Sequence, residues 1–272
     1  TNGAGATNSI RMGTGTTLDD ANKKTNAISI GVDAGASADN AIAMGKTAQA
    51  SAASTVAISY QAQAKTPYSV ALGDSAIAGD YTAGALNIGE AAIAIGRQAS
   101  ANVYNGIAIG KQATIKKDSS DAIAIGAETK VNAYKGAAIG AFSEANGSQA
   151  LAIGNNKQGQ SSVASGERSQ VIGVESTVSG NNSVAIGDTN KVASVRTYAM
   201  GNNIDLKAGS DDSLVFGTRA HANFSRSIAM GVNASTEGQT GVAIGDNAVT
   251  NGINQISIGH KAGDVTETDK KK

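Results

Sequence analysis

The chain has 272 residues, with 22 basic and 22 acidic side chains, 34 glycines, one proline and neither cysteine nor tryptophan. Balanced charge excludes an electrostatic footprint for nucleic acid, and the lack of cysteine excludes disulfide, thiol-catalytic and zinc-thiolate chemistry. No apolar run reaches the roughly eighteen residues of a membrane-spanning helix, and at 3% aromatic content ring-stacking platforms for sugars or bases are not expected.

Residues 1–26 are rich in Thr, Asn and Gly and imperfectly periodic, and are predicted to form an N-terminal capping coil. The start Thr1-Asn2-Gly3-Ala4 has no signal-peptide character, so the sequence reads as a piece of something larger. From residue 27 to residue 263 one phrase recurs, a small residue followed by apolar–Ala–apolar–Gly. Examples are Ala41-Ile42-Ala43-Met44-Gly45, Gly106-Ile107-Ala108-Ile109-Gly110 and Gly241-Val242-Ala243-Ile244-Gly245. Counted from Gly13 to Gly259, eleven of eighteen intervals between phrase ends are fourteen residues, and three are sixteen. Self-similarity at a fixed short period marks a solenoid. Residues 264–272 lose the pattern and are predicted to be a polar exit or the start of a neck.

Within the phrase the large apolar residues stand two apart, as in Ile107 and Ile109. That is the period of a strand and not the three-and-four spacing of a heptad. Relative to the phrase glycine, offsets −3 and −1 carry large apolar residues. Offsets +3 and +5 form a second, smaller apolar pair such as Ala48 and Ala50 or Ile204 and Leu206. Each repeat is therefore predicted to hold two short strands joined by turns rich in Gly, Asn, Asp and Ser. Stacked in parallel, the repeats form a flattened all-β roll with a thin core.

The large residues are expected to fill that core. Offset −2 is then expected to face outward, and thirteen of nineteen repeats place alanine there. A flat strip of small apolar residues suits close approach of an identical chain, so Ala43, Ala71, Ala108, Ala124, Ala152, Ala185 and Ala243 are the candidate self-association residues.

Three expansions fall in polar turns at 79–82, 116–119 and 209–212. Two steps of seven, Gly89 to Gly96 and Gly166 to Gly173, put the phrase half a repeat out of step. Near 89–96 and 155–173 either the large-residue strand changes sides or a longer loop bulges out. Variable turns are the expected binding positions of a solenoid. Tyr104, Tyr134 and Phe224 lie near the turn before the first strand and Tyr81 lies in an expanded loop, making these four the candidate ligand contacts.

Gly45-Lys46-Thr47 imitates the end of a phosphate-binding loop, but Asn40 stands where its first glycine belongs. His221 and His260 lie outside the inward columns and lack a second metal ligand at useful spacing, while Asp211-Asp212 and the 118–121 loop read as solvated turns. No catalytic residue, cofactor or metal site is expected.

The phrase Asn182-Ser183-Val184-Ala185-Ile186-Gly187 and its variants resemble the repeat of YadA-like head domains, found in trimeric autotransporter adhesins of Gram-negative bacteria. The likeness spans roughly residues 9 to 263. It implies a left-handed parallel β-roll, a homotrimer about a common axis, and display from the bacterial outer membrane by a parent chain. It further implies attachment to extracellular matrix protein, host cells or abiotic surfaces, with no membrane contact by this segment itself. A phage or secreted fibre segment would share the same roll. A left-handed β-helix acyltransferase fits poorly, because its coils resemble prisms built on a six-residue step. An ice-binding solenoid fits poorly too, because the outward positions mix Lys, Asp, Glu, Gln and Ser instead of a threonine column.

Overall fold

The computed structural model describes residues 8–18, 25–79 and 90–260. It is an all-β parallel solenoid, divided into two compact units, Thr1–Ala141 and Phe142–Lys272. Each turn carries one long strand of three residues and one short strand of two. Among the described residues there are nine long strands in the first unit and eight in the second, each closing on the phrase. Within each unit every long strand pairs in parallel with its equivalent one turn away. Ile107–Ile109, for instance, aligns with Ile93–Ile95 on one side and Ile123–Ile125 on the other. Ile10–Met12 joins the same ladder beside Ile28–Ile30, so the described part of the N-terminal segment is itself a turn of the solenoid.

The inside and outside of the roll are the reverse of the expected arrangement. The alanine at offset −2 points inward: Ala43, Ala71, Ala108, Ala124, Ala152, Ala185 and Ala243 are all fully buried within the single chain. They are core residues, not a contact surface. The large residues at −3 and −1 point out and remain half-buried to exposed. The reason is volume. A turn of about fourteen residues brings its two strands so close that only small side chains fit between them, and interiors pack without slack. The pair at +3 and +5 does point inward, as Ala48, Ala50, Ile204 and Leu206 show. Offset −4 completes the core with residues such as Ala41, Ser69 and Ala92.

The two units fill this core differently. In the first it is mostly alanine. In the second, serine and asparagine carry a hydrogen-bond ladder. Ser176 Oγ donates to the Gly187 carbonyl at 2.8 Å and accepts the Asn190 N–H at 3.0 Å. Asn190 Nδ2 then donates to the Gly201 carbonyl at 2.7 Å, and its Oδ1 accepts the Ile204 N–H at 3.0 Å. Buried polar groups cost free energy unless paired, and Ser176 and Asn190 each satisfy the turn above, whereas the buried hydroxyls of Ser194, Thr236 and Thr250 have no partner among the described residues.

The turns repeat every half coil. Left-handed backbone recurs at Asn26, Asp33, Asn40, Thr47, Ser54, Gln61, Tyr68 and Ser75, seven residues apart, each with φ between 54° and 60°. At the phrase glycine the requirement is stricter: Gly110 has φ 134°, and a Cβ there would lie 2.3 Å from the Gly126 carbonyl oxygen. Ser59 occupies the same column with φ 110°.

At neither half-step irregularity does a described long strand change sides. Gln170–Ile172 aligns with both Leu151–Ile153 and Val184–Ile186, so the extra residues between Gly154 and Ser162 bulge from one turn. Gly166 sits at the opposite half-turn, whose seven-residue spacing mimics the phrase end. Likewise Ile93–Ile95 aligns with Val70–Leu72, and the additional residues of that turn fall within 80–89, outside the described residues.

Candidate functional site

The long and short strands present opposite kinds of outer surface. On the long-strand side the outward positions are Ile, Val, Leu or Met in nearly every turn, with Tyr198 and Phe216 in two of them and Gln170 the polar exception. Met44, Leu72, Ile125, Ile139 and Met200 are each 37–41% exposed. Their remaining surface is covered by like residues one turn away. The result is a continuous apolar sheet face within each unit. On the short-strand side the outward column reads Gln49, Gln63, Ile77, Ser100, Thr114, Lys130, Glu144, Val163, Thr177, Lys191 and Asp205, then His221, Ser235 and Val249, polar in all of these turns but three. One face is mostly polar and the other is apolar in nearly every turn. Large contiguous apolar surface on a soluble chain marks an interaction site.

The turn edges carry the candidate contact aromatics. Tyr104 and Tyr134 are each 43% exposed in the first unit, and Phe224 is 47% exposed in the second. Lys135 Nζ stands 5.0 Å from the Tyr134 ring centroid, a cation–π contact. Tyr81 lies outside the described residues. The structure adds Tyr60 and Tyr68, at 45% and 61% exposure, which the sequence reading passed over. Tyr68 is one of the left-handed turn residues, and that seven-residue column is the signal that would have placed it on the edge.

The charged turn residues mostly hold neighbouring turns together. Asp211 Oδ1 accepts the Val195 N–H at 2.9 Å, and Asp212 forms a two-point pair with Arg196. That hydrogen bond holds the Asp212 carboxyl below its ordinary range. His260 Nδ1 lies 3.1 Å from Asp246. His221 is half-buried: its Nε2 is 2.9 Å from Ser235 Oγ and 3.2 Å from Glu237 Oε1. Ser235 Oγ and Asn223 Nδ2 also donate to Glu237. These bonds, that from Ser235 foremost, hold its carboxyl below the usual range against the opposing effect of partial burial. The carboxylate lies against the same imidazole nitrogen as the serine, so the group lacks the relay order of a nucleophilic triad.

Models of the YadA head domain repeat match the chain in eight segments: residues 23–46, 36–58, 60–76, 88–113, 134–156, 164–189, 208–234 and 237–262. Together they take in well over half of the sequence. A search of curated proteins returned no match.

Proposed function

Because the chain belongs to the YadA head domain family, a family of adhesins, we propose that it is the non-enzymatic adhesive head of a surface fibre. In this reading three copies turn their long-strand faces toward a common axis. A parent chain displays the trimer from the bacterial outer membrane, where it attaches to extracellular matrix protein, host cells or abiotic surfaces. The observation that carries the assembly is the one-sided apolar sheet; the number three follows the family likeness. Packing the Ile and Val columns of three chains together removes them from water and leaves the polar short-strand faces and the turn edges outside. Those edges repeat three times around the fibre, so weak individual contacts add through multivalency.

Light scattering after size exclusion tests the assembly: the purified chain is expected at three times 26.9 kDa, and a stable monomer would refute it. Attachment is tested by coating assays on matrix protein, cells and plastic with Tyr104→Ala, Tyr134→Ala and Phe224→Ala. Each trimeric variant is expected to adhere less, and unchanged adhesion in all three would remove the aromatic edges from the reading.

A further inference from the structure

The polar sheet of the second unit contains a break. The short strand Asp205–Leu206 pairs with Lys191–Val192, and the next short strand, His221–Ala222, pairs with Ser235–Thr236, but no ladder joins the two across the step between them. Before the step, Lys191 and Ala193 donate their N–H groups to the Ile204 and Leu206 carbonyls, both at 2.7 Å. After it, His221 donates to Ala234 at 2.9 Å and Asn223 to Thr236 at 3.0 Å. At the step itself the equivalent donors, the N–H groups of Asp205 and Lys207, have no backbone acceptor among the described residues. The carbonyls of Ala220 and Ala222 likewise receive no backbone donor.

The core changes size at the break. On its two sides the inward pair changes from Ile204 and Leu206, among the largest fully buried side chains, to Ala220 and Ala222. Single size steps elsewhere, Leu18 against Ala36 and Ile115 against Ala101, keep their pairing, whereas at this step both inward positions change together. The extra residues Ala208 and Gly209 in the adjoining loop give slack. They are not sufficient by themselves: the matching insertion at Lys117 and Asp118 leaves its ladder intact, with Thr114 N–H to Thr129 at 2.9 Å and Lys116 N–H to Val131 at 2.8 Å.

A groove of about 470 Å³ occupies the break, with Asp205 and Lys207 on one lip and Arg219, His221 and Asn223 on the other. Asp205, Lys207 and Arg219 are exposed. Among the described residues none of the three is held in an ion pair. Arg219 Nε donates to Asn233 at 2.8 Å, and the contacts of Nε2 with Ser235 Oγ and Glu237 Oε1 fix the His221 ring.

Facing lips that offer bare N–H groups on one side and bare carbonyls on the other suit a group that accepts and donates at once. A hydroxyl does both. The Asp205 carboxylate accepts from further hydroxyls, and the Lys207 and Arg219 cations match a carboxylate on the ligand. We propose that this break in the polar sheet is a binding site for an acidic oligosaccharide, a hydroxyl-rich chain bearing uronate carboxylates. Recognition rests on hydrogen bonds and charge, not on ring stacking, which is how a chain with so few aromatics accommodates a sugar. The site lies on the opposite face from the assembly surface and does not depend on it.

The test is calorimetric titration of the full chain with a hyaluronan hexasaccharide and, separately, with neutral maltohexaose, accompanied by hydrogen-exchange mass spectrometry. The hyaluronan fragment is expected to bind saturably and to slow exchange in peptides covering Asp205–Asn223, with maltohexaose at least about tenfold weaker. Arg219→Ala and Asp205→Asn are each expected to weaken binding about tenfold, the scale of one charge-assisted hydrogen bond. Both residues are exposed, so the variants are expected to keep the parent's mass by light scattering, and Lys207→Gln serves as the second variant if either fails to fold. Thr114→Ala, at an intact step of the first unit, is expected to bind normally. Absence of binding, protection elsewhere in the chain, equal affinity for the neutral sugar, or indifference of binding to all three lip variants would each overturn the proposal. None of these results would alter the oligomer mass, so failure here is distinguishable from failure of the trimer.

Discussion

A charge placed on the long-strand face should dissociate the assembly while sparing the fold of each chain. Ile125 is 37% exposed in the single chain and its side chain points away from the core. Fully burying an isoleucine is worth about 1.5–3 kcal/mol, so covering the exposed third contributes on the order of 0.5–1 kcal/mol. Over the 32 outward positions of the seventeen described long strands that remain once Gln170 and Ala137 are set aside, the gross gain per chain reaches roughly 16–32 kcal/mol at that rate. That is ample against an association cost of about 4–15 kcal/mol. Ile125→Glu removes one such increment and adds an unpaired carboxylate to a covered interface. That costs several kcal/mol per copy, and it appears three times in a trimer. Because the site is open in the single chain, the strand itself tolerates the change. Light scattering is expected to show a shift toward monomer at micromolar concentration with the circular dichroism strand signal retained. Thr114→Glu, on the polar face, is expected to leave the mass unchanged. Equal behaviour of the two variants would refute the assignment of the apolar face to assembly.

Three further outcomes follow from the core, the turns and the His221 cluster. Ser59→Gly is expected to raise the midpoint of thermal unfolding, with a gain of about 1 kcal/mol, because φ 110° strains a residue with a Cβ; no change would contradict the strain. Ala108→Leu, fully buried in the first unit, is expected to destabilise by at least about 1–3 kcal/mol through overpacking. Measured by chemical denaturation, a neutral effect would return that column to the surface. Glu237 has a folded-state pKa below its unfolded value, so its contribution to stability is present above the unfolded pKa and is lost as pH falls through the folded one. Carboxyl carbon chemical shifts are expected to report that depressed pKa, and Ser235→Ala is expected to raise it; an unmoved titration would remove the Ser235 bond as its main cause.

The repeat, the two strands per turn and the parallel stacking were legible because period two and period fourteen are both written in the residues. The side of the sheet was harder to read. Along Ile107-Ala108-Ile109 both columns are apolar, so alternation alone cannot say which one points inward, and size was a misleading guide. The missing clue lies in the turns. Left-handed residues recur every seven, from Asn26 through Ser75, which makes the two halves of a coil equivalent. Shifting the inward pair at +3 and +5 by seven lands on −4 and −2, and so places the alanines inside. The same spacing explains why Gly166 imitates a phrase end without a strand changing sides. The break beside Asp205 was hidden for a different reason. It falls at the contrast between Ile204 with Leu206 and Ala220 with Ala222 across one step of the stack, a comparison that has meaning only once those turns are known to be neighbours.

An alanine core also bears on how the chain achieves stability. Each buried methyl contributes about 0.8 kcal/mol, whereas fixing one residue's backbone costs about 1–2 kcal/mol. Four small inward residues per turn do not offset the ordering of about fourteen residues by burial alone. The backbone ladder supplies part of the difference, with both strands of a typical turn bonded above and below. The larger apolar residues, which in most domains fill the interior, here stand outside, half-covered by like residues of neighbouring turns. If the proposed trimer forms, folding and assembly are linked by mass action, and the thermal midpoint should then rise with protein concentration. A midpoint that stays constant across a hundredfold concentration range would mean that the single chain is stable without burying its isoleucines.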